Sequence, residues 1–193
     1  MYLMKHACIV SFTAAALLAP AGLADAQKPA TPPLTAVPDV DLGRYMGTWH
    51  EIARLPFKYQ ADCVGDVTAT YSLRDDGNVT VVNRCRMKDG TVNEAKGLAK
   101  RASKDGPASK LKVRFAPAWL SFIPAVWGDY WVLVLAPDYS HVAVGEPGRK
   151  YLWILSREPS MDEATLQAVL DQVKANGYDV TGLIRSQAPP AAK

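Results

Sequence analysis

The sequence has few of the residues on which most catalytic and metal chemistry depends. It contains three histidines and three cysteines in 193 residues. One of each, His6 and Cys8, falls in the N-terminal segment, which leaves His50, His141, Cys63 and Cys85. That set is too small for a metal site, and neither a metal motif nor a glycine-rich phosphate loop is present, so no metal and no cofactor are expected. His50 stands beside Glu51, but adjacent strand residues point to opposite faces, so the pair is no catalytic dyad. His141 has no evident nucleophile for a partner. The charge excess is small too: Lys and Arg outnumber Asp and Glu by 22 to 19, a net +3 that gives no reason to expect nucleic acid.

Long apolar runs are equally scarce. The exception, Ala7 to Leu23, follows Lys5 and His6 and ends at Ala24-Asp25-Ala26, a small-x-small cleavage pattern. Residues 1–26 are therefore read as a secretory signal removed before Gln27, since the run is short for a membrane span. No Leu-x-x-Cys arrangement stands at the cleavage site, and Cys8 lies inside the signal, so the mature protein is expected to be soluble rather than lipid-anchored. The expected location is the periplasm, with association at the outer membrane as an extension of it. In an exported chain, Cys63 and Cys85 read as one disulfide.

The full chain is 49% hydrophobic, with 14 prolines and 13 glycines spread as punctuation, the pattern of one domain of many short strands. Residues 27–38 read as a flexible N-terminal tail, 39–186 as the folded domain and 187–193 as a disordered tail. Strands are expected from Gly47, then over Val67–Leu73, Val79–Arg86, Thr91–Arg101, Lys110–Phe115, Asp129–Ala136, Ser140–Glu146 and Lys150–Arg157. Turns at Arg74–Asn78, Lys88–Gly90 and Pro147-Gly148 join neighbours. The fold class is all-β: eight strands in an up-and-down antiparallel meander, which closes into a barrel and so removes its exposed edges. Past Ser160, read as an N-cap with Glu163 as its capping-box partner, Leu166, Val169, Leu170 and Val173 fall on one helical face. That single C-terminal α-helix has to pack outside the barrel, because the interior has no room for it.

Three ordered motifs carry a resemblance. Gly47-x-Trp49, Pro137-Asp138-Tyr139 and Ser156-Arg157 resemble the three signatures of the lipocalins. Gly47–Arg54, Gly128–Leu133 and Tyr151–Arg157 look more specifically like the bacterial outer-membrane lipocalins of the Blc and apolipoprotein D kind. Two departures stand out: Pro137 where the family has threonine, and the missing lipoprotein cysteine. The resemblance implies that Arg157 lies across Trp49 and closes the barrel floor with a cation–π contact. With those two side chains inward, a period of two places Glu51, Ala53, Tyr151, Trp153 and Leu155 inside as well. Aligning the hairpin about Gly77 to the family adds Ala69, Tyr71, Val81 and Asn83, and the sixth strand adds Tyr130, Val132 and Val134. A buried Glu51 then needs a hydrogen-bond partner or a proton.

The function this implies is binding and carriage of a hydrophobic small molecule, a fatty acid or lysophospholipid, in the cell envelope. The alternatives are a ligand-free structural or chaperone-like periplasmic module, or a lipocalin-type isomerase. Two outer features bear on partners. Phe115–Trp127 is strongly apolar yet proline-broken, and reads as a lid, a peripheral membrane contact or a homodimer contact. Between Lys88 and Arg114 there are eight Lys and Arg against three Asp and Glu. Such a run reads first as a solvated face, and also as cations able to draw an anionic headgroup.

Overall fold

Turn chemistry sets the meander. Gly77 and Gly90 take φ of 76° and 85° at the tips of the first two hairpins, where a side chain would be strained. The computed structural model describes residues 32–186. The signal expected over 1–26, the start of the tail and the C-terminal 187–193 lie outside the described residues. The strands are β1 (Gly47–Arg54), β2 (Cys63–Leu73), β3 (Val79–Met87), β4 (Val92–Arg101), β5 (Lys110–Arg114), β6 (Gly128–Leu135), β7 (His141–Gly145) and β8 (Leu152–Ser156). They pair antiparallel in sequence order, and β1 closes the barrel by pairing with both β8 and β2. Cys63 and Cys85 are joined, pinning β2 to β3. Closing that loop stabilises the fold by about 3 kcal/mol through the unfolded chain.

Two elements were not legible in the pattern. A helical turn, α1 (Leu42–Tyr45), precedes the barrel, capped by the Asp41 carboxylate. A short β9 (Ile184–Arg185) pairs with Ala53 and Arg54. It takes up the edge of β1 that β2, which pairs only with Gly47–His50, leaves open. The helix α2 spans Glu163–Ala175, and its N-cap is Asp162 rather than Ser160. The Asp162 carboxylate accepts the Thr165 backbone N–H at 2.9 Å and its hydroxyl at 2.7 Å, two bonds to the first turn that Ser160 is too far upstream to make. The described part of the expected tail is tied down: Val37 N–H donates to the Val132 carbonyl, and Val37 and Leu34 pack against the inner and outer cores.

The barrel wall has two apolar layers. The inner layer includes Trp49, Tyr71, Val81, Val132, Val142, Val144 and Leu155. The outer layer lies under α2, where Leu166, Val169, Leu170 and Val173 cover Ile52, Leu133, Ala143, Leu152 and Ile154. On that side the strands are buried on both faces, so their sequence is apolar almost without alternation. Here the period of two fails. Register shifts between Glu51 and Ala53 and between Val132 and Val134 each insert a residue. Ala53 and Val134, both expected inside, therefore pack in the outer layer beneath the helix.

Candidate functional site

At one end the cup is shut. Trp49 is completely buried, and its indole N–H donates to the Tyr45 carbonyl at 2.9 Å. The Arg157 guanidinium lies 3.8 Å from the Trp49 ring centroid. It also donates to the carbonyls of Thr48, Arg44 and Tyr45. Strand β8 ends there and directs Arg157 across the base, so one side chain covers the plug and binds the chain entering β1. The middle motif joins them: Tyr139, in the left-handed region at φ 62°, accepts the Asp41 N–H on its hydroxyl, and its ring carries the Arg44 guanidinium at 4.0 Å.

Above the plug lies a cluster of tyrosines from three elements. Tyr45 of α1 and Tyr71 of β2 both bond the hydroxyl of Tyr130 of β6, at 2.7 Å and 3.0 Å. Burial pushes all three phenols up, Tyr71 to about 12, so they stay neutral through the physiological range. Around them Leu42, Met46, Val79, Val81, Ala99, Leu111 and Val113 leave a cavity of about 10 Å³, room for about one water. The lower half of the barrel is thus nearly filled. Tyr45 comes from outside the strands, and strand periodicity carried no signal for it.

The other end is open. The inward-facing Ala69, Asn83 and Trp153 are only half-buried, and Ala95, paired with Asn83, is exposed. Asn83 Oδ1 is buried and meets no donor among the described residues. Glu51 faces inward opposite Leu155, and its partner is a residue that strict alternation would put outside. The bulge at Ile52–Ala53 turns Arg54 inward opposite Trp153, where its guanidinium donates to Glu51 at 3.1 Å. Gln60 and Ser186 also donate to the Glu51 carboxylate. Gln60 accepts the Trp153 indole N–H at 2.9 Å as well, which latches the β1–β2 loop over the rim. Phe57 of that loop packs edge-on to Tyr151 and Trp153.

The β5–β6 connection stands at the same open end. Its Trp119 and Phe122 are 72% and 76% exposed, and Phe115 sits against Gly97 at the rim. Trp127 is covered by Lys100 at 4.2 Å and Arg114 at 5.2 Å. Some of the nearby cations are engaged: Lys96 with Glu94, Lys112 with Asp129, and Lys110 over Trp131. Among the described residues no helix is long and apolar enough to cross a membrane, and no group of His, Cys, Asp and Glu could hold a metal ion.

A closed eight-stranded barrel, plugged by tryptophan under arginine and backed by one helix, defines the lipocalin class. The comparisons agree. A family model described as a lipocalin-like domain matches residues 40–188. The chain is 39% identical over 162 residues to the outer membrane lipoprotein Blc of Escherichia coli, covering 82% of this chain and 86% of that protein. It is 40% identical over 161 residues to temperature-induced lipocalin-1 of Arabidopsis thaliana, covering 81% and 86%. Insecticyanin from Manduca sexta has the same fold, with a TM-score of 0.65 at 24% identity over 83% of this chain and 87% of that one. The chain belongs to the lipocalin family, whose members bind small hydrophobic ligands and are typically binding proteins rather than enzymes.

Proposed function

We propose that this lipocalin binds and carries a single-chain lipid, a fatty acid or lysophospholipid, in the bacterial cell envelope. The observation that carries the reading is the asymmetry of the inner wall. Its lower half is packed, while Ala69, Asn83 and Trp153 face inward above it and are left partly uncovered. An apolar wall with few polar groups suits an acyl chain. The ligand contacts are Ala69, Tyr71, Val81, Asn83, Tyr130, Val132, Tyr151, Trp153 and Leu155; Ala53 and Val134 leave the inward set by their outer packing, and Glu51 because its carboxylate is taken by Arg54, Gln60 and Ser186.

The tail enters first. Glu51 does not set this orientation, because its carboxylate is paired with Arg54. The deep end has no free cation, since Arg157 is spent on three carbonyls and Trp49, whereas Lys88, in the β3–β4 turn at the open end, is largely exposed. A charged headgroup is better solvated and better paired at the rim. Exposed Trp119 and Phe122 give the rim a surface for touching a membrane where lipid is collected or delivered. The resemblance to outer membrane lipoproteins supports a place in the envelope.

A second reading, a ligand-free structural module, is favoured by the small free volume above the plug. Native mass spectrometry of protein purified from its own host, followed by lipid extraction, separates the two. A bound fatty acid or lysophospholipid supports carriage. Protein that is bare from every preparation overturns it.

A further inference from the structure

The tyrosine cluster poses a question of proton count. Tyr45, Tyr71 and Tyr130 are all neutral, so they hold three hydroxyl protons, and only two contacts join the three oxygens. Each contact uses one proton, whichever way it points. One O–H is therefore left over, and no other acceptor bonds these hydroxyls among the described residues. The three rings line the same small cavity, with aliphatic side chains on its other sides. A buried donor without an acceptor is costly, and nothing apolar can satisfy it.

Resting on the reading of the barrel as a ligand cup, we propose that these three hydroxyls form a subsite recognising a neutral oxygen, a hydroxyl or carbonyl, at the leading end of an elongated apolar ligand. The free volume of about 10 Å³ suits one oxygen-sized group. An ionised group does not suit it, because no uncommitted cation lies at that depth and the phenols are held in their neutral form. The preferred ligand is therefore polar at both ends: a headgroup at the rim, an apolar middle along the partly uncovered Ala69 and Trp153, and an oxygen at the tip.

The test is a paired series of straight-chain acids measured by calorimetry on the intact mature protein. Each ω-hydroxy acid is compared with the unsubstituted acid one carbon longer, which has the same number of heavy atoms. At the length that reaches the floor, the hydroxy-tipped acid should bind the parent protein at least as tightly as its methyl-tipped match. In a Tyr45→Phe, Tyr71→Phe, Tyr130→Phe triple variant that ratio should shift by about tenfold toward the methyl tip, the worth of one hydrogen bond.

Tyr130→Phe alone separates the cluster and leaves two uncommitted hydroxyls where the parent has one, so it should move the ratio further toward the hydroxy tip; it serves as the test if the triple variant does not fold. A ratio that is the same in parent and triple variant, or a Tyr130→Phe protein that loses all preference, overturns the subsite. If unsubstituted acids bind and only the ratio fails, the cup stands without its tip recognition. If no acid of any length binds, the carrier reading falls and the subsite falls with it.

Discussion

At the closed end of the barrel a tryptophan is wholly buried, whereas at the open end Trp119 and Phe122 are 72% and 76% exposed. Trp49 has its N–H bonded, its face covered by Arg157 and its neighbours fixed by backbone contacts. The exposed pair belongs to a proline-broken loop with two single-turn helices and no strand partner. The comparison teaches that the same residue type serves two purposes here. Where backbone carbonyls converge it seals the fold, and where they do not it is left available for contact.

Removing the plug should have the largest effect. Trp49→Ala should cost about 3–5 kcal/mol, read as a fall in the denaturant midpoint, because the site is enclosed on every side. Arg157→Ala should cost less, about 1–2 kcal/mol, since the residue covers the plug from the partly exposed side. Equal and small losses for both would mean that the floor is not held this way.

At the rim, Glu51→Ala should cost about 3 kcal/mol, because it strands the Arg54 guanidinium in a site where both side chains are under a tenth exposed. Replacing both residues by apolar ones of similar size should recover most of that loss. A single substitution as harmless as the double one would show that the pair carries no strain on removal.

Alkali probes the tyrosine cluster between the two ends. The folded pKa of Tyr71 is pushed up to about 12 from an ordinary value of 10.0. The folded state thus holds its proton where the unfolded chain has lost it. The associated stability, about 2–3 kcal/mol, is complete below pH 10.0 and lost as pH rises through about 12. Phenolate absorbance of the buried tyrosines should appear together with loss of near-ultraviolet circular dichroism. A phenolate signal that grows with the fold intact would contradict it.

The smallest effect on stability is expected at the open end. Trp119→Ser with Phe122→Ser should change the unfolding free energy by less than about 0.5 kcal/mol. The same variant should bind anionic vesicles more weakly in a flotation assay. A large loss of stability, or undiminished vesicle binding, would place these side chains in a different role.

The unequal legibility of the sequence follows the same division. The disulfide followed from the two cysteines left in an exported chain, and the floor contact was what the lipocalin resemblance implied. The strands and their order were readable because turn glycines and alternation are local chemistry. The bulges were not. Ile52-Ala53 and Leu133-Val134 are adjacent apolar pairs in strands buried on both faces, where alternation has nothing polar to mark it. The signal was the helix itself, whose apolar face required an outer apolar layer in β1, β6, β7 and β8. Arg54 was missed for the same reason, as the bulge alone turns it to Glu51. Tyr45 and β9 depend on which segments meet in space, which no spacing along the chain records.

If the open half of the barrel takes an apolar tail, tip first, toward the Trp49 floor, affinity must follow chain length. Calorimetric binding of saturated acids from medium to long chain tests it most directly. Affinity should rise with each added methylene, by at most about 0.8 kcal/mol, and level off once the cup is full. An affinity that does not change with chain length would contradict the account.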